Sequence, residues 1–338
     1  MPSSTFSSSR LLAVTVVAVA IAASLMLVWE QHWHQADYPP MIYDDRNLWS
    51  VARDRAVRQD QDRLLAISGA SRIQAAWSPR DFRQLQPGWE SVSVAINGHY
   101  PMAVIHDLAA DQRFAGLLLV TVDARGLARE NWSASEPWVR HYHRDFGPQR
   151  RIERWLATRV QTRLVSAGAD FNLIRRIEGW IRGSPPHRHS VHTLRDRTME
   201  ADFQRAHLPS LRNWFVELLA EAYREQPAPP PDQWLADLDA LFAAVERIRD
   251  RGGQVVFLRM PTSDGHWELD QANYPREDYW DRFAARVPAL AIHFQDEPAL
   301  AELETPDTSH IDFRDRPRFT AAVVDILRRE GLLPEPGD

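Results

Sequence analysis

The sequence predicts an α/β domain whose central, mostly parallel sheet is covered by helices on both faces, carried behind an N-terminal membrane-spanning helix. Three observations lead there. Short, continuous apolar runs alternate with longer amphipathic stretches, and an uncharged apolar segment lies near the N-terminus. The composition, 44% hydrophobic and 25% charged over 338 residues, is that of an ordinary globular chain. All-apolar strands mark a parallel sheet, because its crossover helices bury both faces.

After "MPSSTFSSSR", residues 11–29 carry no charge. At a rise of about 1.5 Å per residue they span roughly 28 Å, close to the hydrocarbon thickness of a bilayer. A cleaved signal peptide has a shorter apolar core followed by a small-residue cleavage site. Here Ala20, Ala22 and Ala23 lie inside the run, and bulky Leu25, Met26, Leu27, Val28 and Trp29 follow them, so the expectation is an uncleaved anchor. Arg10 flanks one end, Glu30 and Asp37 the other. The positive-inside bias then puts residues 1–10 in the cytoplasm and the rest outside, as a single-pass inner-membrane protein with a periplasmic domain.

Beyond the anchor, residues 30–60 read as a polar stalk ending in "YPP" and a leading helix over 42–60. The domain itself is expected over 61–331. Its strands are predicted at 64–68, 92–97, 116–122, 254–260 and 291–294. Helices are predicted at 100–113, 208–225, 232–251, 276–286 and 316–331. Between the third and fourth strands lies a long, helix-rich insertion, about 126–230, closed by the Pro-rich "QPAPPPDQ".

Composition excludes several chemistries. A formal charge of −6 argues against a nucleic-acid partner. With no cysteine there are no disulfides, thiol nucleophiles or Cys-ligated metals. All 40 basic residues are arginine, so there is no catalytic lysine.

In a parallel sheet the ligand site lies beyond the carboxyl ends of the strands. Three loops there carry candidate chemistry. "GASR" puts Ser71 between the first strand and a helix, where it is either a nucleophile or a capping serine. "NG" after the second strand gives Gly98, which allows close backbone approach to an oxyanion or simply makes a turn. "PDTSHID" spaces Asp307 and His310 three apart ahead of the last helix, so the carboxylate either orients the imidazole or is solvated.

Together, "GASR", "NG" and "PDTSHID" resemble, in order and strand placement, the sequence blocks of the SGNH (GDSL-like) hydrolase superfamily. The resemblance covers about 60–125 and 250–331. It implies a flavodoxin-like three-layer sandwich around a five-stranded sheet. It also implies Ser71 as nucleophile, His310 as base, Asp307 as its partner, and the backbone N–H groups of Ser71 and Gly98 as oxyanion donors. Two blocks depart from the pattern. The Asp that usually precedes the serine is Ala70, and the Gly-x-Asn-Asp block is replaced by "TVDARGL", with Asp123 where an oxyanion-donating Asn belongs. Similar erosion is seen in membrane-tethered members that resemble periplasmic polysaccharide O-acetyltransferase accessory enzymes. That likeness implies O-acetyl transfer to an exported polysaccharide beside an integral-membrane O-acyltransferase. The alternatives are a carbohydrate esterase of the same fold and a non-catalytic glycan-binding subunit.

Substrate contacts are expected from Asn97 and Arg259, and from Tyr274 and Arg276 in "YPREDYW", with Trp280 near the same rim. The His- and Arg-rich stretches 139–151 and 184–197 read either as a cationic surface for an acidic glycan or as solvated loops. His187, His189 and His192 match no zinc spacing, so neither metal nor cofactor is expected.

Overall fold

A computed structural model describes residues 8–36, 38–168, 172–183 and 190–335. In chain order the first half comprises α1 (Ser8–Gln35), α2 (Arg46–Arg58), β1 (Leu64–Ser68), α3 (Ser71–Ala76), α4 (Pro79–Leu85), β2 (Glu90–Ser93), α5 (Met102–Ala110) and β3 (Leu117–Thr121). The insertion contributes α6 (Ala124–Leu127), α7 (Glu136–Arg144), α8 (Pro148–Gln161), α9 (Leu173–Ile181), the hairpin β4 (Val191–Thr193) and β5 (Met199–Ala201), and α10 (Leu208–Glu225). The remainder is α11 (Pro231–Asp237), α12 (Asp239–Arg249), β6 (Gln254–Arg259), α13 (Asp264–Asn273), α14 (Trp280–Arg286), β7 (Leu290–His293), α15 (Pro298–Ala301) and α16 (Arg316–Arg329).

The chain divides into two compact units, Met1–Tyr43 with Leu156–Arg188, and Asp44–Trp155 with His189–Asp338. The first contains α1, whose stretch Arg10–Gln35 has the length and composition of a membrane span or a signal sequence. Residues 30–35, read from the sequence as the start of a stalk, continue this helix. Its end is tied down within the unit: Val165 N–H donates to Glu30 (2.6 Å), and Trp33, Tyr38 and Val165 form a small apolar cluster.

The second unit is built on a five-stranded sheet in the order β2-β1-β3-β6-β7, every pairing parallel. This is the flavodoxin-like order expected, with the crossing point between β1 and β3. The strands are continuously apolar because both faces are covered. Leu64, Ala66, Leu118, Val120, Val255 and Phe257 pack on the side of α2, α5 and α12. Leu65, Ile67, Leu119, Val256 and Leu258 face α3, α4 and α16.

The boundaries differ from the sequence reading for local reasons. The second strand is four residues, not six, although the extended chain beyond it still pairs: Val94 and Ile96 N–H donate to the carbonyls of Ile67 and Gly69. The 232–251 helix is interrupted at Leu238, and 276–279 are turns ahead of α14. Helix α13 lies where no helix was expected.

Candidate active site

The site stands at the carboxyl end of β1. The strand stops at Gly69, whose φ of +150° and tight surroundings only glycine tolerates. A Cβ there would lie 2.0 Å from Thr121 Oγ1 on the neighbouring strand. Ala70, not a serine, occupies the cap position of α3, and Ser71 is the first helical residue. The helix start carries no side-chain cap bond, so Ser71 is not the capping serine that its place in the sequence allowed.

It turns to His310. Ser71 Oγ lies 2.8 Å from His310 Nε2, and His310 Nδ1 lies 2.8 Å from Asp307 Oδ2. The network assigns the proton on Nδ1 to the carboxylate and leaves Nε2 to accept from the serine hydroxyl. Asp307 does two jobs at once. Its Oδ1 accepts the backbone N–H groups of Ser309 (3.0 Å) and His310 (2.6 Å), closing the turn, while Oδ2 holds the imidazole. Burial pushes the Asp307 carboxyl up, but these bonds outweigh it and hold the group below the usual carboxylate range. Between the two residues Thr308 sits at φ +77°, an uncommon conformation for a β-branched residue. The turn is pinned from outside by Ser263 N–H donating to Thr308 O (3.1 Å). Residues 239 positions apart thus meet because β1 and the segment ahead of α16 end on the same edge of the fold.

The row borders a cavity of about 350 Å³. Gly98, at φ +70°, lines it as well. The insertion supplies one wall: Phe215, Leu218, Leu219 and Ala222 of α10 face the cavity, with the Phe215 ring centroid 5.3 Å from that of His310. The sequence alone predicts this stretch, 208–225, only as a helix, with nothing to place it at a cavity.

The other wall is polar, and Arg72 organises it. Its guanidinium donates to Ser309 Oγ (3.0 Å), to Asp123 Oδ2 (2.9 Å) and to His266 Nε2 (2.7 Å). Because Nε2 accepts from a cation, His266 is neutral there. Burial first, then Arg72 and Arg259, push it down to about 2. Asp123, standing where an oxyanion-donating Asn was missed, accepts from Arg72 and from Gly126 N–H (2.7 Å). Burial opposes its ionisation, but Arg72 and Arg259 hold it at about 2. An ionised acceptor of that kind cannot donate to an oxyanion; its place is to fix Arg72. The adjacency of Arg72 to Ser71 in the first turn of α3 was the available signal for its position.

The residues expected at the substrate rim lie elsewhere. Arg259 is buried at the end of β6, paired with Asp270 at 2.5 Å and with Thr262 Oγ1 at 3.0 Å. Tyr274 is buried against Tyr223 and Tyr279, and Trp280 belongs to the core beside Phe283. Arg276 pairs with Asp281 (2.9 Å) and Asp296 (2.6 Å). None of the four lines the cavity at Ser71. Asn97 is exposed and likewise outside its lining, with its amide near Met199 Sδ. His187 and His189 lie outside the described residues, as does Asp37.

No known protein family matches the sequence, and no curated protein matches it. Among solved structures, the crystal structure of TesA is similar over 79% of this chain and 98% of that chain, at 12% identity and a TM-score of 0.35. At that level of similarity the functional reading rests on the site's own geometry.

Proposed function

We propose that the chain is a serine-dependent acyl-transfer enzyme of SGNH hydrolase type, with Ser71 as nucleophile, His310 as general base and Asp307 as the carboxylate that orients it. The observation that carries the reading is the unbroken row Asp307–His310–Ser71, with both contacts at 2.8 Å, opening on the cavity. Ser71 Oγ attacks the ester carbonyl while His310 Nε2 takes its proton. Asp307 stabilises the imidazolium. The tetrahedral oxyanion is received by the backbone N–H groups of Ser71 and Gly98. Collapse passes the proton from His310 to the leaving alkoxide and leaves an acyl group on Ser71. Water or a sugar hydroxyl, deprotonated by the same imidazole, then discharges the acyl-enzyme.

We extend the reading to O-acetyl transfer onto an exported polysaccharide, beside an integral-membrane O-acyltransferase. What supports it is the membrane-length α1 and the positive-inside pattern at Arg10, which favour a domain outside the cytoplasm. Coenzyme thioesters are not expected there, so a transferase needs a membrane partner as its acyl source. The test is turnover of 4-nitrophenyl acetate by the full-length protein in detergent, with and without an oligosaccharide acceptor. Release that vanishes in Ser71→Ala and rises with acceptor, giving an acetylated sugar, supports transfer. Release unaffected by acceptor supports hydrolysis. Equal release by folded Ser71→Ala defeats both.

A further inference from the structure

The polar wall of the cavity carries guanidinium groups of two kinds. Arg72 is paired with Asp123 (2.9 Å), and Arg259, behind the wall, with Asp270 (2.5 Å). Arg125, which follows β3 and lines the same cavity as Ser71, has no carboxylate partner among the described residues. One terminal nitrogen donates to Tyr100 Oη at 2.7 Å, and the guanidinium carbon stands 5.7 Å and 5.6 Å from the ring centroids of Tyr100 and Tyr223. Its Nε is buried with no partner at all. Tyr100 does not neutralise it: burial and the nearby Asp123 push that phenol far up, so it stays protonated. A partly buried cation whose direct contacts are a phenol and two aromatic faces, with the Asp123 charge acting on it only through space, has left a charge-assisted pair with an oxyanion unmade.

We infer that Arg125, with the hydroxyl of Tyr100, is a recognition site for a carboxylate on the substrate, held in the cavity into which Ser71 opens. The substrate class is an ester whose acyl or alcohol part carries a carboxylate a few bonds from the reacting carbonyl. The apolar α10 wall at Phe215, Leu218 and Leu219 takes the intervening carbon chain or ring face. The tyrosine hydroxyl accepts from Arg125 and donates its own proton to the carboxylate, so the two side chains present converging donors. The site rests on Ser71 being the nucleophile for its catalytic meaning, but anion binding does not depend on turnover.

The experiment therefore has two arms, both on the full-length protein in detergent. In the first, kcat/KM is measured for the 4-nitrophenyl half-ester of adipic acid and for 4-nitrophenyl hexanoate, which match in chain length and differ in charge. The expected preference for the charged ester is roughly tenfold or more at low salt. It collapses in Arg125→Gln and is partly kept in Arg125→Lys. In the second, monoethyl adipate is titrated calorimetrically into Ser71→Ala, with and without Arg125→Gln. Should Arg125→Gln not fold, Tyr100→Phe replaces it, with the preference and the binding expected to fall by about threefold or more. Binding that requires Arg125, without turnover of either ester, supports this inference and overturns the catalytic reading. Turnover with no charge preference, or a preference unchanged in the variants, overturns this inference and leaves the catalytic reading standing. Neither binding nor turnover overturns both.

Discussion

Replacing Asp307 by asparagine separates an orienting carboxylate from an ordinary turn residue. The amide oxygen of the new side chain can still accept the two backbone N–H groups that Asp307 Oδ1 now receives at 3.0 and 2.6 Å. The turn is therefore kept, at a cost of about 1–2 kcal/mol for exchanging charge-assisted bonds for neutral ones. On the other side the amide presents N–H to His310 Nδ1, which lies 2.8 Å from Oδ2 in the native chain. Nδ1 must then accept, the ring proton moves to Nε2, and Nε2 points a proton rather than a lone pair at Ser71 Oγ. The base is lost without loss of the fold. The expected fall in kcat/KM for 4-nitrophenyl acetate is about 10⁴-fold, or about 5.4 kcal/mol. It is read by initial rates beside a thermal melt showing a shift of only a few degrees. Activity within fivefold of native, in an Asp307→Asn protein of normal stability, would refute the role given to the carboxylate.

Three further outcomes follow from the same geometry. His266 is held neutral to about pH 2, while in the unfolded chain it protonates near its ordinary value of 6.5. The unfolded state therefore binds the extra proton, so urea-measured stability falls as pH drops below about 6.5; His266→Gln makes that slope shallower, with His293, itself pushed down to about 3 by burial, supplying part of the remainder. Gly69→Ala forces a Cβ against Thr121 Oγ1 at 2.0 Å and costs more than about 2 kcal/mol in chemical denaturation, and Thr121→Ala in the same chain recovers part of it. An independent clash would give simple additivity instead. Leu219→Trp fills the α10 side of the cavity and shifts preference from 4-nitrophenyl hexanoate toward the acetate by about tenfold; an unchanged ratio would remove α10 from the substrate path.

What could be read in advance was whatever a short stretch of chain determines by itself. Strands β1, β3 and β6 are legible because burial on both faces leaves no polar alternation, and the Asp307–His310 spacing is legible because both ends of that contact lie within one turn. Arg259 looked like a rim residue because its partner, Asp270, comes from a helix that the sequence did not announce. Tyr274 and Trp280 carry the same lesson: aromatic residues beside arginines are as much a core pattern as a sugar-binding one, and here they pack on Tyr223, Tyr279 and Phe283. The polar wall went unread because Arg72, Asp123 and His266 come from three separate segments, the first turn of α3, the cap of α6 after β3, and α13. Nothing in α10 distinguishes a helix over a cavity from a helix over a core, since both need one apolar stripe.

The most direct test of the central claim is intact-mass spectrometry of the full-length protein after mixing with 4-nitrophenyl acetate, followed by peptide mapping. The expected result is a single acetyl adduct on Ser71 that forms in the native chain, disappears in Ser71→Ala, and fails to accumulate at a comparable rate in His310→Ala. An adduct elsewhere, or one on Ser71 that forms as fast without His310, would contradict a nucleophile activated by the Asp307–His310 pair.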